Sequence, residues 1–583
     1  MESIWSDKAE KAPRSAASLG ETGQRTHSRK PPRKKLVLLD PSAVWCHWCH
    51  VMDETTYSDP QIVKTINKDF VPVQVDIDKR PDISERYNRG GFPTTAFLSD
   101  LGKSVWGATY VPPADMKRVI EAILRAKASG EIDSALERGR LQYLDISKAT
   151  QRKQSADHEF VATLFEDIFA AYDVEFGGFG VAPKFPHPEV VDLLLQRYSH
   201  DRDNELAAAV ANTLDRMTEG LFDEVEGGVF RYSVTRDWRE PHYEKMLETN
   251  TGFLRNLVHA HRILGQERFA TRARGVANYV LKTLRDPIDG GFCGSQDADE
   301  EYYKLTAEDR SKRTVPAVDR TIFAGWNADA VVALLEAGIV LRERDYIDEA
   351  LVGWRYSVQR LWNEEVGLVR HTDGQDLYLF ADQAPFFESL LAVLGLSADD
   401  DIRAIVDRLI DGVNTAFADH EGGFVDVVRK ENEIGELASP RRSLPENSTW
   451  ARALALYGIA SHDLQPIEKA REILKCFTAK EVENHGLFAA SYISAWWALK
   501  RGPLCVEVHD PAAGETSESE LWLAASEILD PGMIVMMTRE KGLRTARSAV
   551  PFAVVCTPSG CSQEITDSKD LSARLSQTQS SQV

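Results

Sequence analysis

Two cysteines separated by two residues are the feature of this sequence most able to do chemistry. Cys46 and Cys49 follow the apolar run 36–39, which predicts a buried strand, a turn, and a helix that begins at the pair. The free N–H groups and the dipole at a helix N-terminus stabilise a thiolate. We therefore predict that Cys46 attacks a disulfide and that Cys49 resolves the mixed disulfide that forms.

The strand, turn and Cys-x-x-Cys arrangement resembles that of thioredoxins, and two further residues fit the resemblance. Asp40 precedes Cys46 by six residues, near the place where thioredoxins keep a buried acid, and is the predicted proton relay. Pro93 lies in the segment 90–95, Gly-Gly-Phe-Pro-Thr-Thr, just before the apolar residues 96–98. A cis X-Pro bond is uncommon and needs a positional reason. A clamp beside the dithiol, on the substrate side, supplies that reason, so we predict a cis bond at Pro93.

Three other interpretations of the dithiol stay open. The run Cys-His-Trp-Cys-His at 46–50 also matches the c-type haem attachment pattern, which requires export, and we see no signal peptide. Cys46, His47, Cys49 and His50 are possible metal ligands, but neighbours on one helical turn do not all converge on one ion. The third interpretation is a fold whose cysteines have lost their redox work. We predict no metal and no cofactor.

Composition narrows the class of protein. The 583 residues carry a net charge of −21, with 43% hydrophobic and 27% charged residues, and this length predicts two to four domains. The acidic charge disfavours nucleic-acid binding, and no apolar run reaches the length of a membrane span. Seven cysteines, sparse and odd in number, favour a reducing compartment. We therefore expect a cytoplasmic protein without nucleic-acid or membrane partners.

A glycine motif recurs six times along the rest of the chain. It stands at 175–179, 226–230, 289–292, 365–368, 421–424 and 484–488. Between these motifs, apolar residues at i, i+3 and i+4 predict twelve amphipathic helices in six hairpins. An (α/α)6 toroid, with six inner and six outer helices, is the economical arrangement for such a repeat.

A toroid of this kind has a funnel at one end, and polar and aromatic residues cluster in the loops that would line it. Aromatic rings stack on sugar faces, and acids bind hydroxyl groups or perform acid–base chemistry. The opposing interpretation is that these acids cap helices and brace loops. The candidate funnel residues are His242, Glu244, Asp297, Asp299 and Trp326.

Several motifs resemble the thioredoxin-domain proteins of the spermatogenesis-associated protein 20 type. The resemblance rests on Trp-Cys-His-Trp-Cys-His-Val-Met at 45–52, Gly-Phe-Pro-Thr at 91–94, Pro-His-Tyr-Glu-Lys-Met-Leu at 241–247 and Asp-Ala-Asp at 297–299. It implies a thioredoxin-like domain followed by a six-hairpin glycosidase-like toroid. Residues 381–384, Ala-Asp-Gln-Ala, depart from the Asp-Tyr-Ala that is usual there.

The predicted organisation has five parts. A poorly ordered lead-in, 1–35, precedes an α/β thioredoxin-like domain at 36–128, and the toroid occupies 150–500. Short apolar runs predict a small C-terminal α/β unit at 501–565, followed by a frayed tail at 566–583. Cys556 and Cys561 in that unit are separated by four residues, for which we favour a structural role.

These observations lead to three functional hypotheses. The first is a thiol–disulfide redox protein that meets a thiol-bearing protein or reductase partner, with a toroid that binds a sugar-like ligand or a protein. The second is a carbohydrate-active enzyme, an epimerase, isomerase or glycosidase, in which the thioredoxin module is noncatalytic. The third is a noncatalytic scaffold.

Overall fold

The computed structural model describes residues 35–136, 157–397, 399–428, 434–510, 519–526, 528–538 and 550–580. The chain forms two compact units, one of 1–151 with 429–439 and the other of 152–428 with 440–583. The predicted lead-in therefore lies outside the described residues, apart from Lys35.

The first unit is an α/β fold built on a four-stranded sheet. Strand β1 pairs in parallel with β2 and antiparallel with β3, which pairs antiparallel with β4, giving the order β2-β1-β3-β4. Leu38 and Phe97, which are in register on β1 and β3, are both buried in its core. The elements are β1 (Leu36–Ser42), α1 (His47–Thr55), α2 (Pro60–Asp69), β2 (Phe70–Asp76), α3 (Pro81–Tyr87), β3 (Thr95–Leu98), β4 (Ser104–Ala108) and α4 (Pro113–Ser129).

Residues 434–439 complete this unit, although they come from much later in the sequence. The Arg86 Nε atom donates to the Glu436 carbonyl at 3.2 Å, and the Glu436 N–H donates to the Tyr87 hydroxyl at 3.3 Å. This late segment therefore packs on α3 and satisfies polar groups of two buried residues.

The second unit begins with a helical repeat, as the glycine motifs predict. Its short elements are β5 (Tyr232–Ser233), β6 (Pro241–His242), β7 (Lys245–Met246), β8 (Ser295–Gln296), α10 (Glu300–Tyr303), α11 (Ala307–Arg310), β9 (Val318–Asp319), β10 (Trp362–Asn363), β11 (Leu368–Val369) and α18 (Ala479–Glu483). Its twelve long helices are α5 (His158–Ala170), α6 (Pro188–Asp201), α7 (Asn204–Leu221), α8 (Leu247–Leu264), α9 (Glu267–Tyr279), α12 (Ala324–Leu341), α13 (Arg344–Tyr356), α14 (Phe380–Ser397), α15 (Asp400–Ala416), α16 (Leu444–Ala460), α17 (Gln465–Lys475) and α19 (Ala490–Arg501).

Six of these helices close into a ring. Helix α6 contacts α8, and contacts continue in turn through α12, α14, α16 and α19, which returns to α6. Each inner helix also packs against one outer helix, in the pairs α6–α7, α8–α9, α12–α13, α14–α15, α16–α17 and α19–α5. The predicted (α/α)6 toroid is therefore confirmed by the order of helix contacts. Helix α12, the one described helix that is both long enough and apolar enough to span a membrane, belongs to this inner ring.

A repeated side-chain amide explains why the glycine motifs recur. In the hairpin that precedes α12, the Asn327 amide accepts from the Phe292 N–H at 2.8 Å and donates to the Phe292 carbonyl at 2.9 Å. The amide thereby satisfies both backbone groups of the residue after the glycines. Asn250, Gln383 and Asn447 do the same at the starts of α8, α14 and α16.

The C-terminal part of the second unit is a small sheet in the order β13-β12-β14-β15. Its elements are β12 (Leu504–His509), α20 (Glu520–Ser526), β13 (Met533–Thr538), β14 (Phe552–Thr557), β15 (Gly560–Cys561) and α21 (Ser568–Ser580). The prediction of a frayed tail is wrong over Ser568–Ser580. Leu571 and Leu575, one helical turn apart, are fully buried, and α21 packs against α20.

Candidate functional site

The dithiol lies where β1 leads into α1. Cys46 is the N-cap of α1, and its Sγ atom accepts a hydrogen bond from the Cys49 N–H at 3.3 Å. The two cysteines are bonded as a disulfide and both are buried. An N-cap sulfur that accepts from the helix backbone is in the position where a helix stabilises a thiolate.

Asp40 lies on β1 and is only 6% exposed. Burial, and secondarily the charge of Asp53, raises the pKa of this carboxyl to about 8. Gln74 of β2 donates to the Asp40 Oδ2 atom at 3.2 Å and partly offsets that rise. The carboxyl therefore gains and loses a proton near neutral pH.

Pro93 is buried and follows a cis peptide bond at Phe92–Pro93, as the sequence predicts. The next residue, Thr94, donates its N–H to the Pro41 carbonyl at 3.3 Å. The proline segment is thus fixed to the end of β1 from which the dithiol turn departs.

The side chains between the cysteines, and that of the residue after them, point to solvent. His47 and His50 are exposed, and Trp48 is 48% exposed with its ring edge-to-face against Tyr110, at 5.6 Å between centroids. Within the residues that the structure describes, these imidazoles do not converge with the two sulfur atoms as a metal-ligating group. Trp48 and Tyr110 instead form an aromatic surface next to the dithiol.

The toroid encloses a cavity of about 980 Å³, lined by the inner helices. The repeated amides show how its wall is built, because residues two, five and nine positions after each amide all line the cavity. This spacing is one stripe of an α-helix. The lining residues therefore form three layers. The first layer is Gly252, Asp329, Pro385 and Thr449, the second is Arg255, Val332, Glu388 and Arg452, and the third is His259, Glu336, Ala392 and Leu456.

The third layer, which holds His259 and Glu336, belongs to a connected ionic cluster. His259 Nδ1 lies 2.9 Å from Asp192, and its Nε2 lies 3.1 Å from Glu336. Arg255 donates two hydrogen bonds to the Glu336 carboxylate. Burial alone would lower the pKa of His259, but the two acids outweigh burial and raise it to about 9. His259 is therefore a cation at neutral pH.

The first of the three layers holds Asp329, an acid whose pKa is raised. Burial raises the pKa of Asp329 to about 7, against the charge of Arg255, and Glu388 and Glu248 raise it further. Burial also raises the pKa of Glu248. Carboxyl groups whose environments separate their pKa values are suited to different acid–base roles.

At the mouth, three rings stack in a column. Phe185, which lines the cavity, stacks on Tyr232 at 4.6 Å, and Tyr232 stacks on His242 at 4.7 Å. The His242 Nδ1 atom lies 2.9 Å from both oxygens of Glu244, which is buried. The structure therefore brings the predicted funnel residues His242 and Glu244 together. The Tyr232 ring lies between His242 and Phe185, the ring that lines the cavity.

The other predicted funnel residues lie elsewhere in the second unit. Asp299 caps α10, Asp297 accepts from the Ala298 N–H, and Trp326 packs its ring on Phe323. Among the described residues, none of the five predicted positions is a lining residue of the cavity. Their functional role stays a prediction.

Sequence reasoning missed the lining residues Arg255, His259, Asp329 and Glu336. Their fixed offsets from the amides that follow each glycine motif were the available signal. The offsets identify these residues only once the structure shows that the amides make equivalent hydrogen bonds.

Comparison with known proteins matches the N-terminal part of the chain to a family model and about half of the chain to curated relatives. Residues 21–135 match the family model Thioredox_DsbH, described as a protein of unknown function, DUF255. The chain is 30% identical over 301 residues to spermatogenesis-associated protein 20 of Mus musculus, which is 48% of this chain and 38% of that protein. An uncharacterized protein of Caenorhabditis elegans is 28% identical over 338 residues, 54% of this chain and 44% of that protein.

This chain resembles spermatogenesis-associated protein 20. The resemblance predicted from its motifs is thereby confirmed, and the chain spans about two fifths of the length of the curated relatives it matches. Among solved structures, a sugar epimerase from a ruminal bacterium aligns with a TM-score of 0.44 at 12% identity, over 54% of this chain and 85% of that one. A family 76 glycoside hydrolase from Bacteroides thetaiotaomicron aligns with a TM-score of 0.42 at 10% identity, over 58% and 97%.

Proposed function

We propose that this chain is a thiol–disulfide redox protein in which Cys46 is the attacking thiolate. The observation that carries the proposal is the position of the Cys46 Sγ atom, at the N-cap of α1 with the Cys49 N–H donating to it. A thiol in that position ionises more readily than a free cysteine. The exposed Trp48–Tyr110 surface beside it offers a thiol-bearing protein or reductase a place to contact.

The reaction follows in two exchanges. The Cys46 thiolate attacks a target disulfide, forming a mixed disulfide and releasing one target thiolate. The Cys49 thiol then gives its proton to Asp40 and attacks Cys46, which closes the intramolecular disulfide and releases the second target thiolate. A carboxyl with a pKa of about 8 takes up and returns that proton near neutral pH. Pro93 holds the substrate side of the site.

The test is the thiol pKa and reduction potential of the full-length protein. Alkylation rates measured against pH should give a Cys46 pKa below the ordinary 8.5. Equilibration with thiol–disulfide buffers should give a potential within roughly −270 to −120 mV. Cys46→Ser and Cys49→Ser should abolish disulfide closure, whereas Cys476→Ser, at the C-cap of α17, should change neither value. An ordinary thiol pKa together with a pair that never closes would reject the proposal.

A second candidate function rests on the toroid cavity. We propose that it binds a sugar-like ligand. Support comes from the stacked rings at its mouth, which suit a sugar face, and from the Arg255, Asp329 and Glu388 side chains inside it, which suit hydroxyl groups. With Asp329 as an acid and Glu388 as a second carboxyl group in the cavity wall, the site would suit an epimerase, isomerase or glycosidase.

Titration with a panel of neutral mono- and disaccharides, followed by calorimetry, tests this candidate. Asp329→Asn and Phe185→Ala should each weaken binding about tenfold or more, with the dithiol potential unchanged. Glu301→Gln, at an exposed residue, is the matched control. Deuterium incorporation from heavy water into the sugar would indicate epimerase or isomerase chemistry, and new reducing ends would indicate hydrolysis. No saccharide binding would reject this candidate and favour a scaffold role for the toroid.

The sparse cysteines and acidic charge also support a cytoplasmic location, where a reductase would keep the dithiol in use. Immunolocalisation of the full-length protein tests this point.

A further inference from the structure

Three cysteines lie side by side on adjacent strands of the C-terminal sheet. Cys505 on β12 is in register with Cys556 on β14, and Cys556 is in register with Cys561 on β15. Directly opposed residues of antiparallel strands place their side chains on the same face. Cys556 and Cys561 are bonded as a disulfide, whereas Cys505 is free.

A histidine from the toroid completes the cluster on that face. His462 lies two residues beyond the end of α16, and its ring and the two bonded sulfurs each offer a ligand atom within 4.8 Å of the others. No second group with this spacing occurs among the residues that the structure describes. Cysteine sulfur and histidine nitrogen are the ligands that Zn²⁺ prefers.

Glu507 holds the histidine in the orientation of a metal ligand. The Glu507 Oε1 atom lies 2.8 Å from His462 Nε2. A carboxylate oxygen that accepts from Nε2–H leaves Nδ1 to face an ion. This carboxylate–histidine pair is the usual support of a zinc ligand.

We propose that Cys556, Cys561 and His462 bind one Zn²⁺ when the two cysteines are reduced, and that oxidation of the cysteines to a disulfide releases it. Ligands at 2.0–2.3 Å from a tetrahedral ion lie about 3.5 Å apart, which the observed spacing allows once the S–S bond opens. Cys561 and His462 are exposed, so water reaches the fourth position.

The electron and proton balance is complete with a thiol reductant and a small disulfide oxidant. Reduction adds two electrons and two protons to the Cys556–Cys561 bond, giving two thiols, and Zn²⁺ binding releases those two protons. A disulfide oxidant then takes two electrons from the zinc-bound thiolates. The Cys556–Cys561 bond re-forms, the oxidant leaves as two thiols after taking two protons from solvent, and Zn²⁺ dissociates.

Cys505 stays outside the ligand set. It is fully buried, and it does not belong to the group of ligand atoms that lie within 4.8 Å of one another. The geometry therefore gives the site two cysteines rather than three.

The experiment uses the full chain carrying Cys46→Ser and Cys49→Ser, which removes the other close cysteine pair. Zn²⁺ alone is titrated by calorimetry, in a phosphine reductant and again after oxidation with a small disulfide. Co²⁺ is titrated in parallel, because thiolate ligation produces a charge-transfer absorption. Circular dichroism confirms that each variant is folded.

We expect one Zn²⁺ per reduced chain and none per oxidised chain. Cys561→Ser and His462→Ala should each weaken binding at least tenfold, and Glu507→Gln by about tenfold. Cys476→Ser, at the C-cap of α17 and outside the cluster, should bind as the parent does. The proposal is overturned by equal binding in both redox states, by no binding to the reduced chain, or by unchanged affinity in His462→Ala.

Discussion

Replacing Asp40, the buried acid on β1, should change how the stability of the first unit depends on pH. Asp40→Asn keeps the shape of the side chain and its hydrogen bond with Gln74, but it removes a group that ionises. In the folded protein burial, and then Asp53, raises the pKa of Asp40 from 3.8 to about 8. The unfolded chain releases the same proton near the ordinary value.

The sign and size follow from that difference. The folded state holds a proton that the unfolded state loses, so the stabilisation is full below pH 4 and disappears as pH rises to about 8. At about 1.4 kcal/mol for each pH unit, the wild type loses about 4 kcal/mol between pH 4 and pH 7. The asparagine variant loses none of this. Its advantage over the wild type should therefore grow from near zero to on the order of 4 kcal/mol.

Hydrogen exchange read by mass spectrometry isolates this effect in the first unit, because it reports opening free energies segment by segment. Peptides that cover β1 and β3 are compared between wild type and Asp40→Asn from pH 5 to pH 8, with both proteins oxidised. Asp133→Asn, at an exposed residue of the same unit, should follow the wild type. Parallel curves for wild type and Asp40→Asn across this range would refute the reasoning.

Three further predictions concern the toroid. Lys245→Met should destabilise it by about 2 kcal/mol in urea unfolding, because the buried Asp223 carboxylate loses Lys245 and keeps only its ion pair with Arg310; a loss below 1 kcal/mol would contradict this. Asn327→Ala should cost about 3 kcal/mol, since both backbone groups of Phe292 lose their partner, and Asn327→Gln should recover part of it. His259→Gln should remove a loss of about 3 kcal/mol that the wild type shows as pH rises from 6.5 to about 9; identical pH profiles would disprove the ionic role.

The departure at 381–384 shows how a changed motif keeps a structural role. Gln383 replaces the asparagine of the other hairpins, and its longer amide still accepts from the Val369 N–H at 2.9 Å. Asp382 accepts from the Gly325 N–H and pairs with His371. The hairpin therefore keeps its geometry although the motif differs. Nothing in the sequence alone indicated that Gln383 would take the role of the asparagine.

Local pattern was sufficient for much of the fold. The spacing of Cys46 and Cys49 after an apolar run predicted the strand, turn and helix at the dithiol, and helical periodicity predicted all twelve toroid helices. These signals are local because each depends on one face of one element being apolar. The tail at 568–580 escaped prediction because its two buried leucines lie on a helix that packs against α20, a neighbour that the periodicity of the tail does not reveal.

The sequence by itself determined the strand, turn and helix that carry Cys46 and Cys49, because an N-cap and the helix that it begins depend on residues adjacent along the chain. Only the tertiary structure decided which charges meet inside the toroid. Asp192, His259 and Glu336 come from three inner helices, and ring closure, not sequence spacing, sets their distances. The same holds for His462 beside Cys556 and Cys561, where strand register and a helix end bring distant residues within reach.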